Sequence, residues 1–292
     1  MTKYRRLRER VLEDGILDAG DLEVPAAACD EDLLRVHDPS YLERVLAGTL
    51  TAREVRRLGF PWSRALVERS RRSVGGTVAA CRRALGDGCA VNLAGGTHHA
   101  FRDRAEGFCV FNDAAVAART LQGEGLVGQV LIVDCDVHQG NGTASIFRDD
   151  PSVFTFSMHG KRNFPFEKQV SDLDIELEDG TGDDPYLLLL EEGLDRTLRA
   201  VPADLVIYLA GADPFHRDRF GRLALTEDGL ARRDRMVFEH CLRRRVPVAV
   251  AMAGGYAPQV EEIVALHLET VRQASDLQKS EAWSDRAASR TA

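Results

Sequence analysis

The stretch QVLIVDCDVHQGNGT, residues 129–143, joins four consecutive apolar residues, Val130 to Val133, to a run of carboxylates, an imidazole, amides and glycines. An apolar run of this length without polar alternation is the pattern of a strand covered on both faces, the usual state of strands in a parallel sheet. Four further runs share it: CAVNLA (89–94), VFTFS (153–157), DLVIYLA (204–210) and PVAVAM (247–252). Helix-like segments at 113–122, 184–199 and 226–245 lie among them, the last two opened by Asp184-Pro185 and Thr226. Strands alternating with helices predict an α/β domain with a mainly parallel sheet.

Upstream of residue 86 no strand is evident. Tyr4, Leu7 and Val11 recur at helical spacing before Gly15. Asp38-Pro39 reads as an N-cap with proline at the first helical position, closed by Gly48, and Thr51 with Glu54 has capping-box spacing. Ser63 to Leu85 reads as a helix interrupted by Gly75-Gly76.

The 292 residues are 44% hydrophobic and 29% charged, which excludes a disordered, collagenous or disulfide-scaffold chain and suits one large α/β domain. With 46 acidic against 38 basic side chains the net charge is -8, which argues against coating of nucleic acid. The six cysteines form no C-x-x-C pair and read as buried reduced thiols of a cytoplasmic protein. No secretory apolar segment and no run of 18 apolar residues occurs, so no membrane association is expected. Residues 275–292 are polar and aperiodic and are expected to form a disordered tail after a domain spanning 1–274.

The polar residues cluster after the strands: Gly95-Gly96-Thr97-His98-His99 after the first, Asp136, His138 and Asn141 after the second, His159 after the third, Asp213 after the fourth, and Gly254-Gly255-Tyr256 after the fifth. Ligands of open parallel sheets bind at this edge. Asp134, Asp136 and His138 share one face if the strand stays extended, a chelate spacing, and Asp213 could complete a site with open coordination positions beside Asp136 and His138. The alternative is a strand end whose aspartates cap the next loop. His98-His99 can serve as acid and base at neutral pH, with Asp134 and Asn141 as orienting partners of unequal effect on basicity; the alternatives are buried structural histidines or a second metal site. Tyr256 can donate to an oxyanion or merely seal the core. Gly107-Phe108 can form an apolar wall or belong to the core.

Taken together, GGTHHA, GFCVFND, DCDVHQGNGT, SMH, GADP and GGY, with the earlier LLRVHDPSYLERVLAG, resemble the zinc-dependent histone deacetylase superfamily from about residue 3 to 272. VHQGNG, GLARRDRMVF and RRVPVAV are most similar to its class IV branch, which has many bacterial members. The resemblance implies a three-layer α/β/α, arginase-like fold around the parallel sheet. It further implies Zn²⁺ or Fe²⁺ on Asp136, His138 and Asp213, catalysis by His98, His99, Asp134, Asn141 and Tyr256, and His99 as general base and acid. An acyl-lysine tunnel follows at Gly107, Phe108, Phe164, Gly254 and Gly255, and a structural K⁺ at Asp134, Asp136, His138, Ser157 and Met158. The expected activity is hydrolysis of ε-N-acyl-lysine in a peptide or protein, with an acetylpolyamine-type amidohydrolase or an inactive acyl-lysine-binding scaffold as rivals. Two departures stand out: the strand that usually precedes a segment like MTKYRRLRERV is not in the sequence, being expected either to be absent or to lie upstream of Met1, and no acidic loop residue is recognisable in PFHRDRFGRL.

Overall fold

Alternate residues of the central strands leave the sheet in opposite directions, and both directions are packed. Leu131, Val133, Val206, Tyr208, Val248 and Val250 join one buried apolar cluster, whereas Val130, Ile132, Leu205, Ile207, Leu209, Ala249 and Ala251 join another. This is why the runs contain no polar alternation. Each buried Leu, Ile or Val contributes roughly 1.5–3 kcal/mol relative to exposure.

The computed structural model describes residues 2–279. Helices α1 (Thr2–Glu13), α2 (Asp30–Leu34), α3 (Pro39–Ala47), α4 (Ala52–Leu58) and α5 (Arg64–Asp87) precede β1 (Cys89–Asn92). Then follow α6 (Asp113–Gly123), β2 (Val130–Asp134), α7 (Asn141–Phe147), β3 (Val153–Gly160), β4 (Leu173–Leu177), α8 (Asp183–Ala200), β5 (Leu205–Leu209), α9 (Glu227–Arg244), β6 (Val248–Ala251) and α10 (Val260–Gln278). The six strands form one sheet in the order β1-β6-β5-β2-β3-β4, every pair parallel. Helices α1, α8, α9 and α10 cover one face, and α2 to α7 supply the other. The expected α/β/α architecture is therefore present.

Local signals behave as their chemistry dictates. Pro39 opens α3 and Gly48 closes it with a left-handed backbone, while Thr51 and Glu54 cap each other at the start of α4. Four expectations change. Helix α5 runs unbroken through Gly75-Gly76, because a Cβ at Gly75 would lie 1.9 Å from the Ala26 carbonyl and one at Gly76 2.7 Å from Asn92. The glycines permit close packing rather than a break. Strand β3 continues through Ser157, Met158 and His159, so His159 is a buried strand residue bonded to Ser157 Oγ at 3.0 Å and not a loop group. Cys29 is exposed and caps α2; the other five cysteines are buried, and all six are free. Helix α10 runs to Gln278, past the expected boundary at 275, with Ser275 and Leu277 buried; the rest of that tail, 280–292, lies outside the described residues.

His37 links this scaffold to the loop after β1. Its Nδ1 donates to the Phe101 carbonyl at 2.9 Å and its Nε2 accepts from the Asn112 amide at 3.0 Å, so the ring is held neutral. Asn112 in turn caps α6 and donates to the carbonyls of His98 and Ala100. Burial pushes the His37 pKa down to about 4 against the weaker pull of the Phe101 carbonyl. The unfolded chain therefore binds the proton first as pH falls, and the contribution of His37 to stability is present above about 6.5 and lost toward 4. At about 1.4 kcal/mol per pH unit, acidification from 6.5 to 5 is expected to remove about 2 kcal/mol through this residue. Urea midpoints measured from pH 7 to 4.5 check it: the pH slope of a His37→Gln variant should be shallower than that of the parent chain.

Candidate metal and catalytic centre

Strands β2 and β5 are neighbours in register, Asp134 opposite Leu209, so the residues that follow them emerge side by side. Past Asp134 the chain turns: the Asp134 carboxylate accepts from the Asp136 amide at 3.1 Å and the Asp136 carboxylate from the His138 amide at 2.9 Å. The strand does not stay extended, and the i, i+2, i+4 set is divided between two tasks. Asp134 takes His98, while Asp136 and His138 meet Asp213 from the β5 exit. The Val137 amide donates to Asp213 Oδ1 at 2.9 Å, which ties the two exits together.

One ligand atom from each of Asp136, His138 and Asp213 lies within 4.8 Å of the others, and all three residues are buried. His138 Nδ1 is 3.0 Å from Asp136 and 3.2 Å from Asp213. Asp213 Oδ2 is nevertheless without a properly aligned hydrogen-bond partner among the described residues, an arrangement costly for a buried carboxylate oxygen. Gly254 donates its amide to Asp136 Oδ2 at 2.8 Å, and a Cβ there would stand 1.9 Å from Asp213 Oδ2. A buried orphan oxygen, a bare glycine beside it and a mixed carboxylate–imidazole donor set fit a divalent cation such as Zn²⁺ or Fe²⁺.

The electrostatics follow from the same crowding. Burial, then the negative charge of Asp136, pushes the Asp213 carboxyl up to about 7. Burial also opposes ionisation of Asp136, but the charges of His98 and His138 and the bonds from His138 hold its carboxyl well below the usual range. Burial works against a charged His138 too, and is overcome by Asp136 and Asp213, which raise the ring to about 10.

His98 and His99 enter together because the Gly95-Gly96 loop bends back over the β2 exit. His98 Nδ1 lies 2.6 Å from Asp134, His99 Nδ1 2.7 Å from Asn141 Oδ1, and the two Nε2 atoms 3.2 Å apart. Burial opposes a charge on His98, yet Asp134 and Asp136 raise its pKa to about 9. Burial, then the charges of His98 and His138, pushes His99 far below its ordinary value. The pair is thus one cation and one neutral base, the inequality expected from Asp134 against Asn141. Since Asn141 Oδ1 accepts from His99 Nδ1, the His99 lone pair sits on Nε2, the atom that faces His98 Nε2 at 3.2 Å.

Tyr256 follows β6 and packs between Phe108 (ring centroids 6.3 Å) and Phe220 (4.9 Å). Burial, then Asp136 and Asp213, pushes its phenol well above 10, so it stays a donor. Its amide donates to Asp218 at 2.6 Å and its carbonyl accepts from Arg219 at 3.0 Å. Lys3 on α1 donates to the carbonyls of Ala253 and Gly255. Phe164 stacks edge-on to His99 at 5.0 Å, and Gly107 and Phe108 line the same cavity of about 800 Å³. Gly254 lies against the carboxylates and lines the adjoining cavity of about 1200 Å³ with Phe108, Asp136, His138 and Tyr256, whereas Gly255 lines neither and a Cβ on it would meet Ile263 of α10 at 2.8 Å. Ser157 is the register partner of Asp134, with Met158 buried behind it.

Several residues at the site carried no sequence expectation. Glu106 accepts from Asn141 Nδ2 at 2.9 Å, and Asp218, Arg219 and Phe220 surround Tyr256. Beneath the ligands, the buried Arg233 of α9 donates to the Gly211 carbonyl at 2.5 Å and the Cys135 carbonyl at 3.4 Å, one from each strand exit. It is paired with Asp234, 2.7 Å away, which also accepts from Tyr208 and Thr270. A signal existed: Arg233 and Asp234 fall on the apolar helical stripe of Leu230, Val237, Phe238 and Cys241, where unpaired charge is excluded.

A histone deacetylase domain profile matches residues 1–271. The chain is 47% identical over 277 residues to an uncharacterized protein of Picosynechococcus, covering 95% of this chain and 92% of that one. It is 32% identical over 280 residues to histone deacetylase 2 of Arabidopsis thaliana, covering 92% and 72%. The crystal structure of a histone deacetylase homologue from Aquifex aeolicus superposes with a TM-score of 0.79 at 25% identity, covering 95% of this chain and 82% of that one. The protein belongs to the histone deacetylase domain family and is a hydrolase of the deacetylase type.

Replacing Arg233 with Met strands the buried Asp234 carboxylate and is expected to cost about 3–5 kcal/mol. Urea unfolding checks this, and the double change Arg233→Met with Asp234→Leu should cost less than the single one.

Proposed function

We propose that the protein hydrolyses ε-N-acyl-lysine to free lysine and a carboxylate, through a divalent cation held by Asp136, His138 and Asp213. The buried Asp213 Oδ2 carries this reading, since among the described residues it has only the misaligned approach of His138 Nδ1 at 3.2 Å. A cation bound there supplies Lewis acidity toward the amide carbonyl and the attacking water. His99 Nε2 takes the water's proton as the water oxygen adds to the carbonyl carbon, and returns it to the leaving nitrogen as the C–N bond breaks. His98, charged beside Asp134, stabilises the developing negative charge, and the Tyr256 hydroxyl donates to the oxyanion. Gly107, Phe108 and Phe164 hold the aliphatic stem of the acylated side chain. A structural K⁺ on Asp134, Asp136, His138, Ser157 and Met158 fits the register pairing of Asp134 with Ser157. The class IV assignment rests on the VHQGNG, GLARRDRMVF and RRVPVAV segments and extends the candidate acyl groups to longer fatty chains. The free cysteines support a cytoplasmic setting. No helix among the described residues is long and apolar enough to cross a membrane.

A panel of acyl-chain lengths on one lysine peptide, assayed before and after chelation, tests the reading. Turnover that survives complete metal removal overturns the metal mechanism, and binding without hydrolysis in the Zn²⁺-loaded protein points to the scaffold instead. Tyr256→Phe is expected to lower kcat by about 10² to 10³ while metal content, measured by elemental analysis, stays unchanged.

A further inference from the structure

The mouth of the cavity has a charge opposite to that of the protein. Arg56 and Arg57 on α4, Arg162 on the β3–β4 connection, and Arg219 and Arg222 on the β5–α9 connection all line it, and Glu106 is the sole carboxylate among the lining residues. Glu106 is already engaged by Asn141 and lies 3.6 Å from Arg104. Arg162 and Arg222 share a single carboxylate, Asp179, at 3.7 and 3.2 Å. Arg56, Arg57 and Arg219 have no carboxylate partner among the described residues; Arg219 bonds only to the Tyr256 carbonyl. Several arginines elsewhere are matched by carboxylates: Arg10 with Asp14, Arg44 with Glu54, Arg72 with Glu68, Arg82 with Glu124 and Arg119 with Asp150. In a chain with 46 acidic and 38 basic side chains, five arginines against one carboxylate around a single cavity are a local excess of positive charge at the candidate active site.

We infer that the amide substrate is an acyl-lysine set in an acidic peptide segment, whose Asp and Glu side chains meet Arg56, Arg57, Arg219 and Arg222 while the acyl-lysine enters between Phe108 and Phe164. This rests on the deacylase reading and names its substrate class. Guanidinium forks pair carboxylates bidentately, and a cationic cleft raises the local concentration and association rate of anions while repelling cations. The exposed rings of Phe166 and Phe220 (85% and 51%) offer apolar grip beside the charges. An acetylpolyamine, itself a polycation, meets the same field with the wrong sign.

Three acetyl-lysine peptides differing only in flanking residues (Asp/Glu, Gly/Ser, Lys/Arg), together with acetylspermidine, test this on the metal-loaded full chain. The acidic peptide is expected to exceed the basic one in kcat/KM by about tenfold or more at low salt, mainly through KM. The gap should narrow several-fold at 0.5 M NaCl, where the Debye length falls to a few ångströms, about 4. Reversing Arg56 and Arg57 together to Glu should shrink or invert the acidic-to-basic ratio, and Arg219→Gln with Arg222→Gln should shrink it independently; a ratio within one variant cancels partial misfolding. Equal rates on all peptides, or a preference for the basic peptide or acetylspermidine, overturn the inference and leave the deacylase reading intact. Should no substrate be hydrolysed, that reading falls, and ranking the same peptides by fluorescence anisotropy decides the charge inference by itself.

Discussion

Three carboxylates, Asp134, Asp136 and Asp213, are buried within two adjoining strand exits, and much of the site's construction answers the resulting repulsion. Taking like charges out of water costs several kcal/mol per ion unless each is met by donors or by a cation. The compensation comes from every side: His98 on Asp134, the amides of Val137, His138 and Gly254 on Asp213 and Asp136, and His138 between the last two. What remains undersatisfied among the described residues is Asp213 Oδ2, met only by the misaligned His138 Nδ1 at 3.2 Å, and that shortfall is what makes the centre a receptor for positive charge.

The sheet order is the device that concentrates these groups. Because β5 lies between β2 and β6, the exit carrying Asp213 sits beside the exit carrying Asp136 and His138, and Gly254 reaches both from the other side. Arg233 then braces the two ligand-bearing turns from below by holding the Gly211 and Cys135 carbonyls. The lower layer thus fixes the spacing of the turns, and the upper loops, with His98, His99 and Tyr256, set the polarity. Asp134 and Asp136 hold one imidazole as a cation against burial, and burial with the charges of His98 and His138 keeps its neighbour a neutral base.

Five of the six strands were legible because burial on both faces demands continuous apolar runs. β4 was not: LDIEL lies at the sheet edge, with charged residues at its second and fourth positions. Helix α10 carried no expectation, although Ile263, Val264, His267, Leu268 and Val271 follow helical spacing. The glycine pair in α5 misled because local propensity is outweighed by contact with Ala26 and Asn92, residues distant in sequence. His159 looked like a loop group only because the strand's length cannot be read once apolar continuity ends.

By itself the sequence determined the parallel α/β class, the edge of the sheet at which chemistry collects, and the residue types gathered there, since these depend on local pattern and on the order of strands and loops. Tertiary structure decided which of those residues meet: Asp134 with His98 rather than with the cation ligands, Gly255 with α10 rather than with the cavity, Glu106 behind Asn141, and Arg233 beneath both turns. It also brought arginines from α4 and two separate connections to one mouth. Such encounters join positions far apart in the chain, so they are fixed only when the layers pack and the buried charges find their partners.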